Sequence, residues 1–115
     1  MEIPKELVEK VYEIVEKAKA TGKIRKGSNE VTKAIEKGTA KLVAIAKDIS
    51  PPEITMHLPL LCEEKNIPCA EVPAKEELGA AAGLDVGTAS VAVVEEGDAK
   101  ALLKSVSEEL AQLKK

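Results

Sequence analysis

The stretch from residue 27 to residue 41, GSNEVTKAIEKGTAK, constrains the chain most, because its pattern predicts a short helix with two unlike faces. At about 100° per residue, four polar side chains fall within about 100° of one another, those of Asn29, Glu30, Lys33 and Lys37. The apolar side chains fall on the opposite side, where they can dock onto a core. The polar face therefore offers an amide, a carboxylate and two ammonium groups. Such a mixture of donors and acceptors suits a nucleobase edge.

The length and composition of the chain predict one soluble domain over residues 1–115. It has 115 residues, of which 44% are hydrophobic and 32% are charged, an ordinary soluble composition. No apolar run approaches the ~18 to 20 residues of a membrane span. The opening MEIPKELVEK resembles neither a secretory signal nor a transit peptide. We therefore expect a cytoplasmic protein without membrane contact.

The charge is unevenly distributed. The formal net charge is −3, yet residues 17–41 hold eight basic and two acidic residues. This indicates one docking face on an otherwise acidic body, although a solvated lysine-rich helix end would give the same pattern.

Tyr12 is the sole aromatic residue. A stacking platform for single-stranded RNA is therefore excluded, and an RNA-binding role would have to rely on shape and polar edges.

Helical periodicity alternates with short apolar runs along the chain. This order predicts an α/β protein, a single-domain three-layer α/β/α sandwich around a small mixed four-stranded sheet. We expect Ser28 to cap the central helix and Gly38 to end it. Pro59 should kink or split the third helix, which starts near Ser50 or Pro51. The predicted helices lie at about residues 4–20, 28–37, 53–65, 74–82 and 99–114, and the predicted strands at 42–46, 67–72 and 89–94, with a further short strand around Ile24.

An enzyme is disfavoured. The chain contains no P-loop, no dinucleotide-binding glycine pattern and no nucleophile elbow. Cys62, Cys69 and the lone His57 are too few for a zinc site. We interpret the cysteines as buried, reduced thiols and His57 as an ordinary helix residue, and we expect no catalytic residue, no metal site and no cofactor.

A second unusual feature is the loop at residues 83–87, Gly-Leu-Asp-Val-Gly. Two large apolar residues, Leu84 and Val86, occupy a glycine-flanked turn where polar residues are expected. Either they fold back into the core, or they form an exposed apolar lip that covers part of a ligand.

Two blocks of the chain, KGSNEVTKAIEKGTAKLVAIAKD and HLPLLCEEKNIPCAEVPAKEELGAAAGL, resemble the archaeal large-subunit ribosomal proteins of the L-seven-Ae family. The resemblance spans roughly residues 20–100. It implies an α/β/α fold that binds RNA kink-turns without catalysis. The implied particles are the large ribosomal subunit, the box C/D and H/ACA guide ribonucleoproteins, and the tRNA-processing ribonuclease P. The implied partners are ribosomal RNA, both classes of guide RNA, ribonuclease P RNA and other ribonucleoprotein core proteins. Because nothing in the chain suggests an obligate dimer, we expect the free protein to be a monomer.

The resemblance also implies roles for individual residues. Asn29, Glu30 and Lys33 match the base-reading positions of the family. Lys37 stands where arginine is frequent, which weakens any bidentate phosphate contact. Two further sets are implied: Lys26, Gly27, Ser28, Lys37 and Lys75 at the RNA backbone, and Leu84, Asp85 and Val86 in the loop that covers the bulge.

The chemistry of a kink-turn agrees with these assignments. Its tandem sheared G·A pairs leave guanine N–H donors and O6/N7 acceptors free. Glu30 can accept from the N–H groups, Lys33 can donate to O6 or N7, and Asn29 can do either. The alternative is a protein–protein adaptor on the same fold, with a partner bound at the acidic helix around Pro59, from His57 to Glu64.

Overall fold

The structure is a computed structural model that describes residues 4–48 and 53–113, with the side chains of residues 28, 53–57 and 113 outside the description. A mixed four-stranded sheet separates two helical layers. The elements in chain order are α1 Lys5–Thr21, β1 Lys23–Lys26, α2 Ser28–Glu36, β2 Leu42–Ala46, α3 Glu53–Glu64, β3 Cys69–Val72, α4 Lys75–Ala81, β4 Ser90–Glu95 and α5 Lys100–Leu113, with a 3-10 turn at Gly97–Ala99 before α5.

The strand order in the sheet is β1-β4-β2-β3. Strand β2 runs parallel to β3 and antiparallel to β4, and β4 is also antiparallel to β1. All five residues of β2 are buried, as expected for a strand covered on both faces. These features confirm the predicted sandwich and mixed sheet, and β1 confirms the short strand around Ile24.

Each face of the sheet carries its own hydrophobic core. Helices α1, α4 and α5 cover one face, with Val11 and Ile14 fully buried. Helices α2 and α3 cover the other, with Val31, Ile35 and Leu58 fully buried. Because burying each such side chain contributes about 1.5–3 kcal/mol, the apolar side of α2 can hold that helix against the sheet. Its polar side is then free to face solvent.

The ends of α2 are set by two glycines. Gly27, with φ 90°, is the N-cap residue, so the expectation that Ser28 fills this position is wrong. A positive φ favours glycine, and the Gly27 carbonyl accepts from Val31 N at 2.9 Å. Gly38, with φ 74°, ends the helix as predicted, and the Thr39 N–H donates to the Ala34 carbonyl at 3.0 Å.

Helix α3 is continuous from Glu53 to Glu64 with Pro59 inside it, so the predicted splitting does not occur. Strand β3 begins at Cys69 rather than Ile67, because Ile67 is buried in the core and donates its N–H to the Cys62 carbonyl at 2.8 Å. The predicted helix start at Ser50 or Pro51 lies outside the described residues. His57 lies within α3 as predicted, and its side chain is likewise outside the description.

Candidate functional site

The polar face of α2 is presented to solvent. Asn29, Glu30 and Lys33 are all exposed, whereas Val31 and Ile35 on the other face are fully buried. The helix therefore has the two unlike faces that its periodicity predicts, and the three polar side chains predicted to read bases are accessible.

A groove of about 580 Å³ runs between α2 and the adjoining end of the sheet. Alanine, valine and threonine contribute to its lining alongside three cations and two carboxylates. The described residues that line it are Arg25, Glu30, Lys33, Ala34, Lys37, Thr39, Val94 and Glu95. The structure thus brings Glu30, Lys33 and Lys37 together. Asn29 is exposed on the same helix but is not among these lining residues.

Among the described residues, the cations that line this groove form no salt bridge. Within residues 4–48 and 53–113, the salt bridges are Lys10–Glu109, Lys17–Glu13 and Lys23–Glu95, at 3.5, 3.7 and 3.8 Å. None of them uses a cation from the lining of the groove. The positive charge of the groove cations therefore remains available to an anionic ligand.

Arg25 is the one cation in the described lining of this groove that the sequence interpretation did not assign to the site. Its neighbour Ile24 packs against the core on the α1 side of the sheet. Because side chains alternate along a strand, Arg25 projects to the α2 side. This period-two pattern in β1 could have placed Arg25 on the face opposite Ile24, but its position beside α2 depends on the pairing of β1 with β4. Thr39, Val94 and Glu95 were also missed, and they reach the groove through the sheet pairing rather than through any local motif.

Each of the two predicted alternatives for the apolar loop holds for one of its two large apolar residues. Leu84 is half-buried and packs against the core beneath α1 and α4, so this side chain does fold back. Asp85 is exposed, and 71% of Val86 remains accessible. Val86 therefore forms the exposed apolar tip, and Leu84 anchors it.

Helix α4 fixes the shape of this loop. The Leu84 N–H donates to the Gly79 carbonyl at 2.8 Å, and the Thr88 N–H donates to the Lys75 carbonyl at 3.1 Å. A Cβ atom at Gly79 would lie 2.1 Å from the Val86 carbonyl oxygen, so the loop backbone rests directly on the helix. The loop is therefore held at both ends.

Lys75 belongs to the loop rather than to the groove. Its N–H donates to Asp48 Oδ1 at 2.8 Å, and its side-chain stem packs beneath Gly87. The predicted backbone-binding set is therefore divided: Lys37 lines the groove, Lys26 is exposed at the end of β1, and Lys75 flanks the loop. The side chain of Ser28 is outside the described residues.

The start of α2 and the end of the loop meet at one end of the paired strands β1 and β4. The Gly27 N–H donates to the Ser90 carbonyl at 3.1 Å, and Lys26 pairs with Val91 in the β1–β4 ladder. The two candidate regions, which are more than 40 residues apart in the sequence, are thus neighbours in space.

The lone aromatic side chain supports the same region from the α1 side. The Tyr12 hydroxyl donates to the Ala74 carbonyl at 3.4 Å, just before α4. Burial raises the pKa of Tyr12 to about 12, assisted by the negative charge of Glu77. Tyr12 therefore joins α1 to the start of the helix that carries the loop.

In the described part of the chain, no three His, Cys, Asp or Glu side chains are grouped so that they could hold a metal ion. Cys62 is buried as predicted, Cys69 is half-buried rather than buried, and neither takes part in a disulfide. Among the described helices, none has the length and apolar character needed to cross a membrane.

Two comparisons with known proteins agree with this architecture. The sequence model of the "Ribosomal protein L7Ae/L30e/S12e/Gadd45 family" matches residues 9–103. Among solved structures, the chain is similar to the "Giardia lamblia 15.5kD RNA binding protein", with 29% sequence identity and a TM-score of 0.92. That match covers 97% of this chain and 93% of the Giardia lamblia chain.

Proposed function

Because the chain belongs to the ribosomal protein L7Ae/L30e/S12e/Gadd45 family, we propose that it binds and stabilises kink-turn RNA and performs no catalysis. Its sites of action are the large ribosomal subunit, the box C/D and H/ACA guide ribonucleoproteins and ribonuclease P in the cytoplasm of an archaeal cell. There it works beside other core proteins, and it is a monomer when free of RNA. The similarity to a Giardia lamblia protein described as RNA-binding supports this proposal.

The observation that carries the proposal is the grouping of Glu30 with Lys33 in a groove of unneutralised cations. A sheared G·A pair presents guanine N–H donors beside O6 and N7 acceptors. The Glu30 carboxylate accepts from the former, and the Lys33 ammonium donates to the latter. Hydrogen bonds to charged groups are shorter and stronger than neutral ones. Asn29, exposed one residue earlier, supplies a further donor or acceptor to the same base pairs.

Backbone phosphates supply the non-specific part of the affinity. Arg25 and Lys37 hold positive charge on the walls of the groove, and Lys26 extends it along the sheet edge. The N–H groups at the start of α2 add partial positive charge. The logarithm of the binding constant falls with the logarithm of salt concentration, and each phosphate contact should steepen that slope by slightly less than one unit.

The carboxylate in the groove gives selectivity. When no guanine N–H group donates to the Glu30 carboxylate, that carboxylate repels nearby phosphate. A regular duplex therefore gains little from the cations around Glu30. The deep, narrow major groove of A-form RNA also excludes side chains, whereas sheared pairs widen it. Val86 then covers the extruded bulge nucleotide through apolar contact rather than aromatic stacking.

A gel-shift titration with two RNAs tests this function. One RNA carries the kink-turn, and the other has Watson–Crick pairs in place of the G·A pairs. Lys33→Ala and Glu30→Ala should each weaken kink-turn binding by at least about 1 kcal/mol, or fivefold. The matched controls are Lys104→Ala and Glu108→Ala, at exposed positions of α5 in the opposite layer. Unchanged affinity in both α2 variants, or equal wild-type affinity for the two RNAs, would overturn the proposal.

A second candidate role, as a protein–protein adaptor, is favoured by one observation. Leu60 on α3 is 67% exposed, and the acidic Glu63 and Glu64 beside it are exposed as well. Single exposed apolar residues are common, so this surface ranks below the groove. The adaptor hypothesis predicts weak, salt-sensitive and equal binding to both RNAs in the same titration.

A further inference from the structure

The carbonyl oxygen of Ser90 joins the two parts of the candidate interface. It accepts from the Gly27 N–H at 3.1 Å, directly before α2. It also accepts from the Thr88 hydroxyl at 3.2 Å, directly after the apolar loop. A carbonyl oxygen has two lone pairs, so both donors can be satisfied at once. One atom of β4 therefore contacts both the residue before α2 and the residue after the apolar loop.

Thr88 is enclosed by protein at this junction. Its side chain is 8% exposed, and Ser90 is fully buried. Water is poorly placed to replace a hydroxyl lost from such a position, and a buried polar group left unsatisfied is costly. The hydroxyl of Thr88 is thus a buried donor whose acceptor also holds the start of α2.

The backbone of Thr88 makes a third connection. Its N–H donates to the Lys75 carbonyl at 3.1 Å, and the Lys75 N–H in turn donates to Asp48 Oδ1 at 2.8 Å. Thr88 therefore contacts the start of α4 through its N–H and the start of β4 through its hydroxyl. The loop between Gly83 and Gly87 has its far end fixed by this one residue.

We propose that Thr88 is a positioning residue that sets the spacing between the base-reading face of α2 and the apolar tip at Val86. This inference rests on the proposed function. A kink-turn has a fixed distance between its sheared pairs and its bulge. The protein can read both together when its loop is held at the matching distance. Thr88 acts through the Ser90 carbonyl and does not itself contact the RNA.

The conservative pair Thr88→Val and Thr88→Ser isolates the hydroxyl. Valine keeps the branched shape and removes the donor, whereas serine keeps the donor. The measurement is the dissociation constant of each variant for the kink-turn and for an RNA with the same G·A pairs but no bulge nucleotides. Thr88→Val should weaken binding to the bulged RNA roughly 3- to 10-fold, the size of one net hydrogen bond. Binding to the unbulged RNA should change less than about twofold, and Thr88→Ser should restore most of the loss.

General destabilisation requires its own control. Val106→Ala truncates a fully buried residue of α5, on the face of the sheet opposite α2, and should lower the melting temperature without altering bulge preference. Equal losses by Thr88→Val on both RNAs, or no loss on the bulged RNA, would overturn the positioning role. If the wild-type protein showed no preference between a kink-turn and a regular duplex, the proposed function itself would fail instead.

Discussion

Replacing Gly79 by alanine sets two physical effects against each other. Gly79 lies inside α4, where alanine is favoured over glycine by about 0.5–1 kcal/mol through helix propensity. Propensity alone therefore predicts a more stable protein. The packing of the loop predicts the reverse, because the added methyl group would lie 2.1 Å from the Val86 carbonyl oxygen and 3.0 Å from Gly87 Cα.

The magnitude follows from that distance. Real Cβ atoms are essentially never found closer than 3.0 Å to such a neighbour, so the loop backbone must move by about 1 Å. Movement of the Val86 carbonyl strains the flanking hydrogen bonds of the loop to α4. Overpacking of this kind costs about 1–3 kcal/mol, which exceeds the gain in propensity. We expect Gly79→Ala to lower the free energy of unfolding by about 1 kcal/mol and the melting temperature by about 4 °C.

Thermal unfolding followed by circular dichroism shows whether Gly79→Ala lowers or raises the melting temperature. Ala80→Gly is the matched control, because the Ala80 side chain is exposed on the same helix and the substitution keeps the Ala80 carbonyl that accepts from the Gly83 N–H. The same preparation of Gly79→Ala should bind the bulged kink-turn at least about fivefold more weakly, since the displaced Val86 loses part of its apolar contact. A rise in melting temperature for Gly79→Ala would refute the packing of the loop on α4.

Three further predictions concern single side chains. The absorbance titration of Tyr12 should have its midpoint near pH 12, and Glu77→Gln should lower that midpoint. Because the unfolded tyrosine ionises near pH 10, Tyr12 should favour folding fully below that pH and lose this contribution as pH rises toward 12. Lys75→Ala should weaken binding to all RNAs by similar factors in gel shifts. It should also reduce the slope of the logarithm of the binding constant against the logarithm of salt concentration by about one unit. Lys37→Arg should tighten binding severalfold in the same assay, because a guanidinium can contact phosphate with two N–H groups.

Periodicity and glycine placement were sufficient to predict most of the fold. The apolar side of α2 and the buried run in β2 each follow from short-range pattern, and Gly38 ends α2 where expected. The N-cap of α2 was wrongly predicted at Ser28, because serine is a typical N-cap residue. The backbone at Gly27 instead adopts a positive φ while its N–H reaches Ser90. That bond is long-range, so no local pattern could reveal it.

The candidate site was predictable to the extent that it lies on one element. Glu30, Lys33 and Lys37 share a helix face, and helical geometry alone places them together. Arg25 joins them through strand pairing, and Thr88 reaches the start of α2 through the carbonyl of Ser90. Both depend on how β4 pairs with β1. Sequence spacing carries no direct information on that register, so these contributions emerged from the structure.

The acidic composition of the chain and its proposed RNA partner are compatible because electrostatic attraction acts locally. At physiological ionic strength, charges are screened beyond about 8 Å, so the net charge of −3 has little influence inside the groove. What matters there is which cations already have partners. Lys17 and Lys23 are paired with carboxylates, whereas the cations of the groove are not paired within the described residues. We therefore expect RNA contact at the groove rather than over the acidic surface, so that the charge pattern would orient the proposed partner as well as attract it.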